Sequence, residues 1–328
     1  MAFGIPHLDL KLELSLKSDM KKVEALLRSH ISGDYPLVVE TSRHLVEAGG
    51  KRLRPLLTLL AAQFGDPKAD GIVEAAVVCE LTHLATLYHD DVMDEAPLRR
   101  GVESANSRWN NTVAILTGDY LFAKASDLLA DLGAEAVRLQ ARTFERLVIG
   151  QITETQGSTV GLTMLEHYLR VVADKTGSLI ATSARFGALL SGATPEEVEA
   201  MTRFGEKLGV VFQLADDVID IASESNESGK TPGTDLREGV PTLVTLYILE
   251  SKDSADAELR KILSAPITDE AIVQETLKKL RNNPAMEKSR KLLHSYADEA
   301  RLEIEPLRDI AAKRALVELC QTIITRTS

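Results

Sequence analysis

The run Ile72-Val73-Glu74-Ala75-Ala76-Val77-Val78-Cys79-Glu80-Leu81-Thr82-His83-Leu84-Ala85-Thr86-Leu87-Tyr88-His89-Asp90-Asp91-Val92-Met93-Asp94 sets the architecture. Up to Tyr88 it is apolar almost all round, the pattern of a helix that passes through the middle of a protein. Glu74, Glu80 and His83 interrupt it, which disqualifies it as a membrane span. It then ends in carboxylates. Asp90 and Asp94 share a helix face, as do Asp91 and Asp94, and Pro97 stops the helix. The partial negative end of a helix dipole lies there and disfavours anions. Two carboxylates ~4 Å apart repel by about 4 kcal/mol at an effective dielectric of ~20. The situation recurs: Asp90 to Ala96 matches Asp216 to Ala222 at five of seven positions, 126 residues later, again behind an apolar run, Val210 to Ala215. A solvated acidic helix end explains one such cluster but is a poor account of two. Oxygen ligands without cysteine point to a hard cation, Mg²⁺ or Mn²⁺. Mg²⁺ is commonly held by one or two carboxylates plus substrate phosphates, so a phosphate or diphosphate substrate is expected.

Outward from this run, the 3.6-residue period continues nearly everywhere. It predicts helices near 8–30, 36–48, 54–64, 70–95, 107–131, 134–157, 163–190, 195–223, 240–252, 257–264, 268–282 and 286–326, the last broken near Pro306. Alternating strand patterns are missing. Turn chemistry falls between the helices, at Ser32-Gly33-Asp34, Gly49-Gly50 and Gly65-Asp66-Pro67, for example. With 4% aromatics among 328 residues, the core must be built from Leu, Val, Ile and Ala. The expected fold is all-α: a single-domain helical bundle over 1–328. Ser223 to Gly239, rich in Ser, Gly, Lys and Asp, has the length of a lid. Asp plus Glu is 49 against 38 Lys plus Arg, a net charge of −11, which argues against nucleic-acid binding. Cys79 and Cys320 lie in apolar patterns and suit a reducing cytosol. Met1 to Leu16 lacks the continuous apolar core of a secretory signal, so a cytoplasmic enzyme is expected.

The basic residues fit the same substrate. Gly49-Gly50-Lys51-Arg52-Leu53-Arg54-Pro55 puts three cations behind a diglycine at a helix start, where backbone amides favour an anion. Arg99-Arg100-Gly101 follows the first carboxylate cluster, Lys175-Thr176-Gly177 interrupts a helical pattern, and Lys230 sits in the lid-like loop. Each alone reads as a solvated charge. Together they read as two anion sites flanking a metal cluster.

In this combination the chain resembles the trans-isoprenyl (polyprenyl) diphosphate synthases. The motifs are Gly50-Lys51-Arg52-Leu53-Arg54-Pro55, His83 to Asp94, Arg99-Arg100-Gly101, Gly118-Asp119-Tyr120, Lys175-Thr176-Gly177, Phe212 to Asp220, Gly229-Lys230 and Asp235-Leu236, and the resemblance covers the chain from about residue 40 to about 320. The resemblance implies an isoprenoid-synthase bundle around a central cavity, a homodimer, and three Mg²⁺ ions per active site (Mn²⁺ as substitute). It implies that Asp90, Asp94 and Asp216 are the main ligands, supported by Asp91, Asp217 and Asp220. Gly50, Lys51, Arg54, His83 and Arg100 match residues that hold isopentenyl diphosphate. Arg99, Lys175, Thr176, Gln213 and Lys230 match those around the allylic diphosphate, with Thr176 and Gln213 placed to steady a carbocation. Membrane contact would be at most transient, for product release. One position departs: Val240 stands where many relatives carry Lys.

The growing chain is expected to run along the 72–94 helix, about one isoprene unit per 5.4 Å turn. Short-chain relatives block it with aromatics where this chain has Ala85 and Thr86. Leu81, Val78 or Phe122 would form a deeper floor, so a long product, C30 to C50, is expected. The rival readings are a short-chain (C15–C20) synthase, a class I terpene cyclase, a non-catalytic subunit of a heteromeric synthase, and a di-iron bundle using the Glu80-x-x-His83 spacing.

Overall fold

The computed structural model describes residues 2–157, 161–223 and 232–327. Helix α4 (Ile72–Met93) is the predicted central helix, and it is buried on every side along most of its length. It starts after Gly71, whose φ of 88° suits a residue without a Cβ. It ends at Asp94, and Glu95 follows in the left-handed region.

Around it in sequence run α1 (Leu10–His30), α2 (Pro36–Glu47), α3 (Leu53–Ala61), α5 (Ala105–Arg108), α6 (Asn111–Asp131), α7 (Ala134–Gln156), α8 (Met164–Val172), α9 (Ser178–Leu190) and α10 (Pro195–Ala222). Then come α11 (Thr234–Glu238), α12 (Leu243–Leu249), α13 (Ala257–Ile262), α14 (Glu270–Arg281), α15 (Pro284–Ile304) and α16 (Ala311–Thr325). The all-α class is as expected, and so is the break at Pro306, between α15 and α16. Two features are not. Residues Ala173–Gly177 form a π-helical turn inside the predicted 163–190 helix. A short helix, α11, sits within the predicted lid, between Gly233 and Gly239, both at positive φ. No helix among the described residues is long and apolar enough to cross a membrane.

The starts obey local chemistry. Asp9, Asn110, Asp269 and Asn283 accept backbone N–H groups at the starts of α1, α6, α14 and α15, and Thr163 and Glu166 form a capping box on α8. A hairpin escaped the sequence reading. Strand β1 (Leu98–Arg99) pairs antiparallel with β2 (Val102–Glu103). Its two loop residues, Arg100 and Gly101, both have positive φ, the geometry that a two-residue hairpin requires.

The chain forms two compact units. One comprises Met1–Phe144, Leu179–Gly205 and Leu307–Leu316. Its core is α4 with α1, α3 and α6 packed against it. The other comprises Glu145–Ser178, Glu206–Pro306 and Val317–Ser328. Its core includes Val218 and Ile221 of α10 with Val244, Ile248, Leu277 and Leu280. Each unit carries one carboxylate cluster.

Candidate active site

In the first unit, the three aspartates at the end of α4 differ in environment. Asp91 is fully buried, Asp90 half-buried and Asp94 exposed. Arg99 Nε donates to Asp91 Oδ1 (2.5 Å), while Asp91 Oδ2 is buried with no hydrogen-bond partner. Burial pushes the Asp91 carboxyl up, and Arg99 opposes this. Arg99 closes β1, just before the Arg100-Gly101 turn and only a few residues beyond the end of α4. Next to the cluster, His89 Nε2 donates to the Ile115 carbonyl (3.1 Å) and faces Asp119 at 3.4 Å. His89 therefore orients α4 on α6.

The basic residues of this unit divide into two kinds. Arg52 is a structural cation: it binds Glu24 (2.6 Å) and the buried Glu80 (2.9 Å) and donates to the Val46 carbonyl (3.1 Å). The predicted trio behind the diglycine thus loses one member to the core. Glu80 had looked like an interruption, or half of a di-iron motif. Its buried charge in an apolar helix was the signal that a cation must face it. Arg100 Nη1 donates to the carbonyls of Leu45 (2.7 Å) and Gly49, at the end of α2 where a cation is favoured. Gly50 lies under it, and a Cβ there would stand 3.0 Å from the guanidinium carbon. Arg54 has its Nε buried without a partner, and Lys51 is exposed. Burial and then the charges of Arg54, Arg100, Arg99 and Arg52 hold the His83 imidazole well below its ordinary pKa. Gly50, Lys51, Arg54, His83 and Arg100 thus mark a strongly positive region.

In the second unit the middle aspartate is again the buried one. Asp217 accepts from Gln213 Nε2 on Oδ1 (3.0 Å), and from the Tyr168 hydroxyl and the Leu243 N–H (3.3 Å) on Oδ2. Burial pushes its pKa up to about 6 against those three donors. Asp220 accepts the N–H groups of Thr234 (3.2 Å) and Asp235 (3.4 Å), which opens α11. Asp216 lies 4.0 Å from Arg326, a cation the sequence reading missed because it comes from the far end of the chain.

The π turn presents Lys175 and Thr176. Thr176 Oγ1 donates to Gln213 Oε1 (3.4 Å), and Lys175 pairs with Glu154 (2.6 Å). Three glycines crowd the turn. A Cβ on Gly209 would stand 2.6 Å from Gly177 Cα, and one on Gly150 would stand 2.7 Å from the Lys175 nitrogen. Arg146 clamps it from the side, on Asp174 (2.9 Å) and Glu206 (2.6 Å). Turns of this kind recur at functional sites.

Residues 35–280 match the polyprenyl synthetase family model. The chain belongs to this family. A nonaprenyl diphosphate synthase of Mycobacterium tuberculosis is 48% identical, over 98% of this chain and 97% of that one. Among solved structures, a geranylgeranyl pyrophosphate synthase from Corynebacterium glutamicum, crystallised with calcium and isoprenyl diphosphate, superposes with a TM-score of 0.87 at 44% identity, over 97% of this chain and 98% of that one. A decaprenyl diphosphate synthase from Rhodobacter capsulatus gives 0.88 at 31% identity, over 97% and 99%. This polyprenyl synthetase is a prenyltransferase.

Of the residues expected around the allylic diphosphate, Lys175, Thr176 and Gln213 form one connected group in the second unit, while Arg99 stands on Asp91 in the first. Lys230 lies outside the described residues, as do residues 224–231 of the predicted lid. The chain-length positions Val78, Leu81 and Ala85 are fully buried and Thr86 nearly so. Phe122 packs on Phe144, with ring centroids 4.5 Å apart. Among the described residues, no three His, Cys, Asp or Glu side chains converge on a point that would hold a metal ion. The donors are nonetheless all oxygen, and the orphaned Asp91 Oδ2 is the kind of group a cation satisfies. These residues fit a hard divalent ion.

Proposed function

We propose that this prenyltransferase joins isopentenyl diphosphate head-to-tail to an allylic diphosphate, releases diphosphate, and makes a long trans-polyprenyl diphosphate of about C30 to C50. The observation that carries this reading is the pairing of two aspartate clusters with a positive region around His83, in a chain 48% identical to a nonaprenyl diphosphate synthase. A terpene cyclase needs one diphosphate site, and this chain has cations for two. A non-catalytic subunit would be expected to lose its carboxylates, and all six remain.

In this reading Asp90, Asp94 and Asp216 hold Mg²⁺, three ions per site, with Asp91, Asp217 and Asp220 in support. Bound Mg²⁺ would stabilise the charge that develops on the leaving diphosphate. Lys175 meets that diphosphate once it leaves Glu154. Gly50, Lys51, Arg54, His83 and Arg100 hold isopentenyl diphosphate, and the unpartnered Arg54 Nε supports that role. The allylic C–O bond breaks, and its electron pair leaves with the diphosphate. The double bond of isopentenyl diphosphate attacks the allylic cation, and a proton is lost to the released diphosphate. Thr176 and Gln213 offer oxygens to the cation, and a site closed to water would keep it from being quenched. Exposed Ile115 and Leu116 on α6, and Val148, Ile149 and Ile152 on α7, support a homodimer. We place it in the cytoplasm, with at most transient membrane contact.

The test is a product assay with Mg²⁺, labelled isopentenyl diphosphate, and geranyl, farnesyl or geranylgeranyl diphosphate in turn. A ladder ending at C30 or longer is expected. Termination at C15 or C20 would keep the reaction and discard the open path at Ala85 and Thr86. No condensation by folded protein would discard the reaction itself.

A further inference from the structure

Tyr168 lies on α8, eight residues before Thr176, and no motif above includes it. Its hydroxyl donates to Asp217 Oδ2, the oxygen that also receives the Leu243 N–H (3.3 Å). Gln213 closes the other side, donating to Asp217 Oδ1 (3.0 Å) while accepting from Thr176 (3.4 Å). Asp217 is therefore gripped from α8, from its own helix and from the start of α12. Both oxygens are occupied, and the side chain is fully buried. Helix ends fray readily, and the last two turns of α10 carry three carboxylates against the helix dipole. A buried carboxylate with fixed donors is a peg that stops the turn from unwinding or rotating. Asp216 is the residue just before it, ~100° around the axis, so its direction follows from the peg.

We propose that Tyr168 is a positioning residue for the second aspartate cluster: by holding Asp217 it sets the direction in which Asp216 would be presented to a divalent cation and the allylic diphosphate. The inference rests on the function proposed above. It makes a one-sided prediction. The Tyr168–Asp217–Gln213–Thr176 chain serves the allylic diphosphate and belongs to the second unit, whereas Arg54 and His83 belong to the first. Losing the hydroxyl should therefore weaken one substrate and spare the other. A tyrosine that served only as core packing would be indifferent to the loss of its hydroxyl, or would affect both substrates through general loosening.

The experiment uses the full chain and Tyr168→Phe, which keeps the ring. Farnesyl thiodiphosphate, an unreactive allylic analogue, is titrated calorimetrically with Mg²⁺ present, and the KM of isopentenyl diphosphate is measured in parallel. We expect the analogue to bind about tenfold more weakly, the scale of one hydrogen bond to a charged group, with the isopentenyl KM within about twofold of the parent. Asp217→Asn is measured alone and in combination. Because the hydroxyl acts through Asp217, the double variant should bind no worse than Asp217→Asn. An unchanged analogue affinity in Tyr168→Phe overturns the proposal. So does a rise in both substrates together, or a double variant that adds the full tenfold. If the parent protein neither condenses the substrates nor binds the analogue, the proposed function fails first and this inference with it.

Discussion

Gly118 matters for what it leaves out. A Cβ there would stand 2.3 Å from His89 Nε2 and 3.1 Å from the Ala85 carbonyl, so α4 and α6 meet where one of them has no side chain. Gly118→Ala should cost about 1–3 kcal/mol through overpacking, and a lowered urea midpoint would register it. An unchanged midpoint would contradict the close approach. His83 makes a second prediction at this scale. Burial and four nearby guanidiniums keep it neutral when folded, whereas in the unfolded chain it protonates near the ordinary histidine value of about 6.5. Its folded pKa is depressed, so the neutral form is no burden above pH 6.5, and stability is lost as pH falls below that value. Thermal unfolding should show the parent losing stability below pH 6.5 more steeply than His83→Gln. Inorganic diphosphate bound among these arginines would relieve the repulsion. His83 should then take up a proton, detectable as a binding enthalpy at pH 6 that depends on the ionisation heat of the buffer.

At the scale of elements, the π turn and the hairpin do comparable work. Each is a short irregular segment that carries a cation proposed to meet substrate, Lys175 in one case and Arg99 in the other. The π turn depends on three absent side chains, at Gly150, Gly177 and Gly209. Gly209→Ala should push α10 off the turn, since a Cβ there would stand 2.6 Å from backbone. We expect the KM of the allylic diphosphate to rise at least tenfold, with a smaller change for isopentenyl diphosphate. Equal changes in the two constants would mean that the glycine serves general packing.

For the whole molecule, the predictions concern assembly and product. Leu116 is 60% exposed on α6 beside exposed Ile115, and Ile152 is 50% exposed on α7 near exposed Val148 and Ile149. Replacing both with Lys should shift the protein from dimer to monomer in light scattering. If the parent itself runs as a monomer, the homodimer reading goes. Ala85→Phe should shorten the product by placing a ring in the proposed path, and an unaltered product length would remove Ala85 from that path.

Much of this was legible in the sequence because it is local. Helix periods, capping residues and the repeated Asp-Asp-x-x-Asp are patterns within ten or so residues, and an apolar run that ends in carboxylates states its chemical problem in one line. The family follows from the order of such motifs. What the sequence could not settle are the partners, because they come from far along the chain. Arg52 faces Glu24 and Glu80 rather than substrate. Tyr168 reaches Asp217 across 49 residues. Arg326 approaches Asp216 from the other end. Among three chemically identical aspartates in each cluster, only packing decided which one is buried, because burial depends on what the rest of the chain lays over that face. The sequence by itself determined the all-α fold, the family and the residues that carry charge. Tertiary structure alone decided which of those charges are buried and which are spent on one another, since that choice is made by three-dimensional neighbours no local pattern contains.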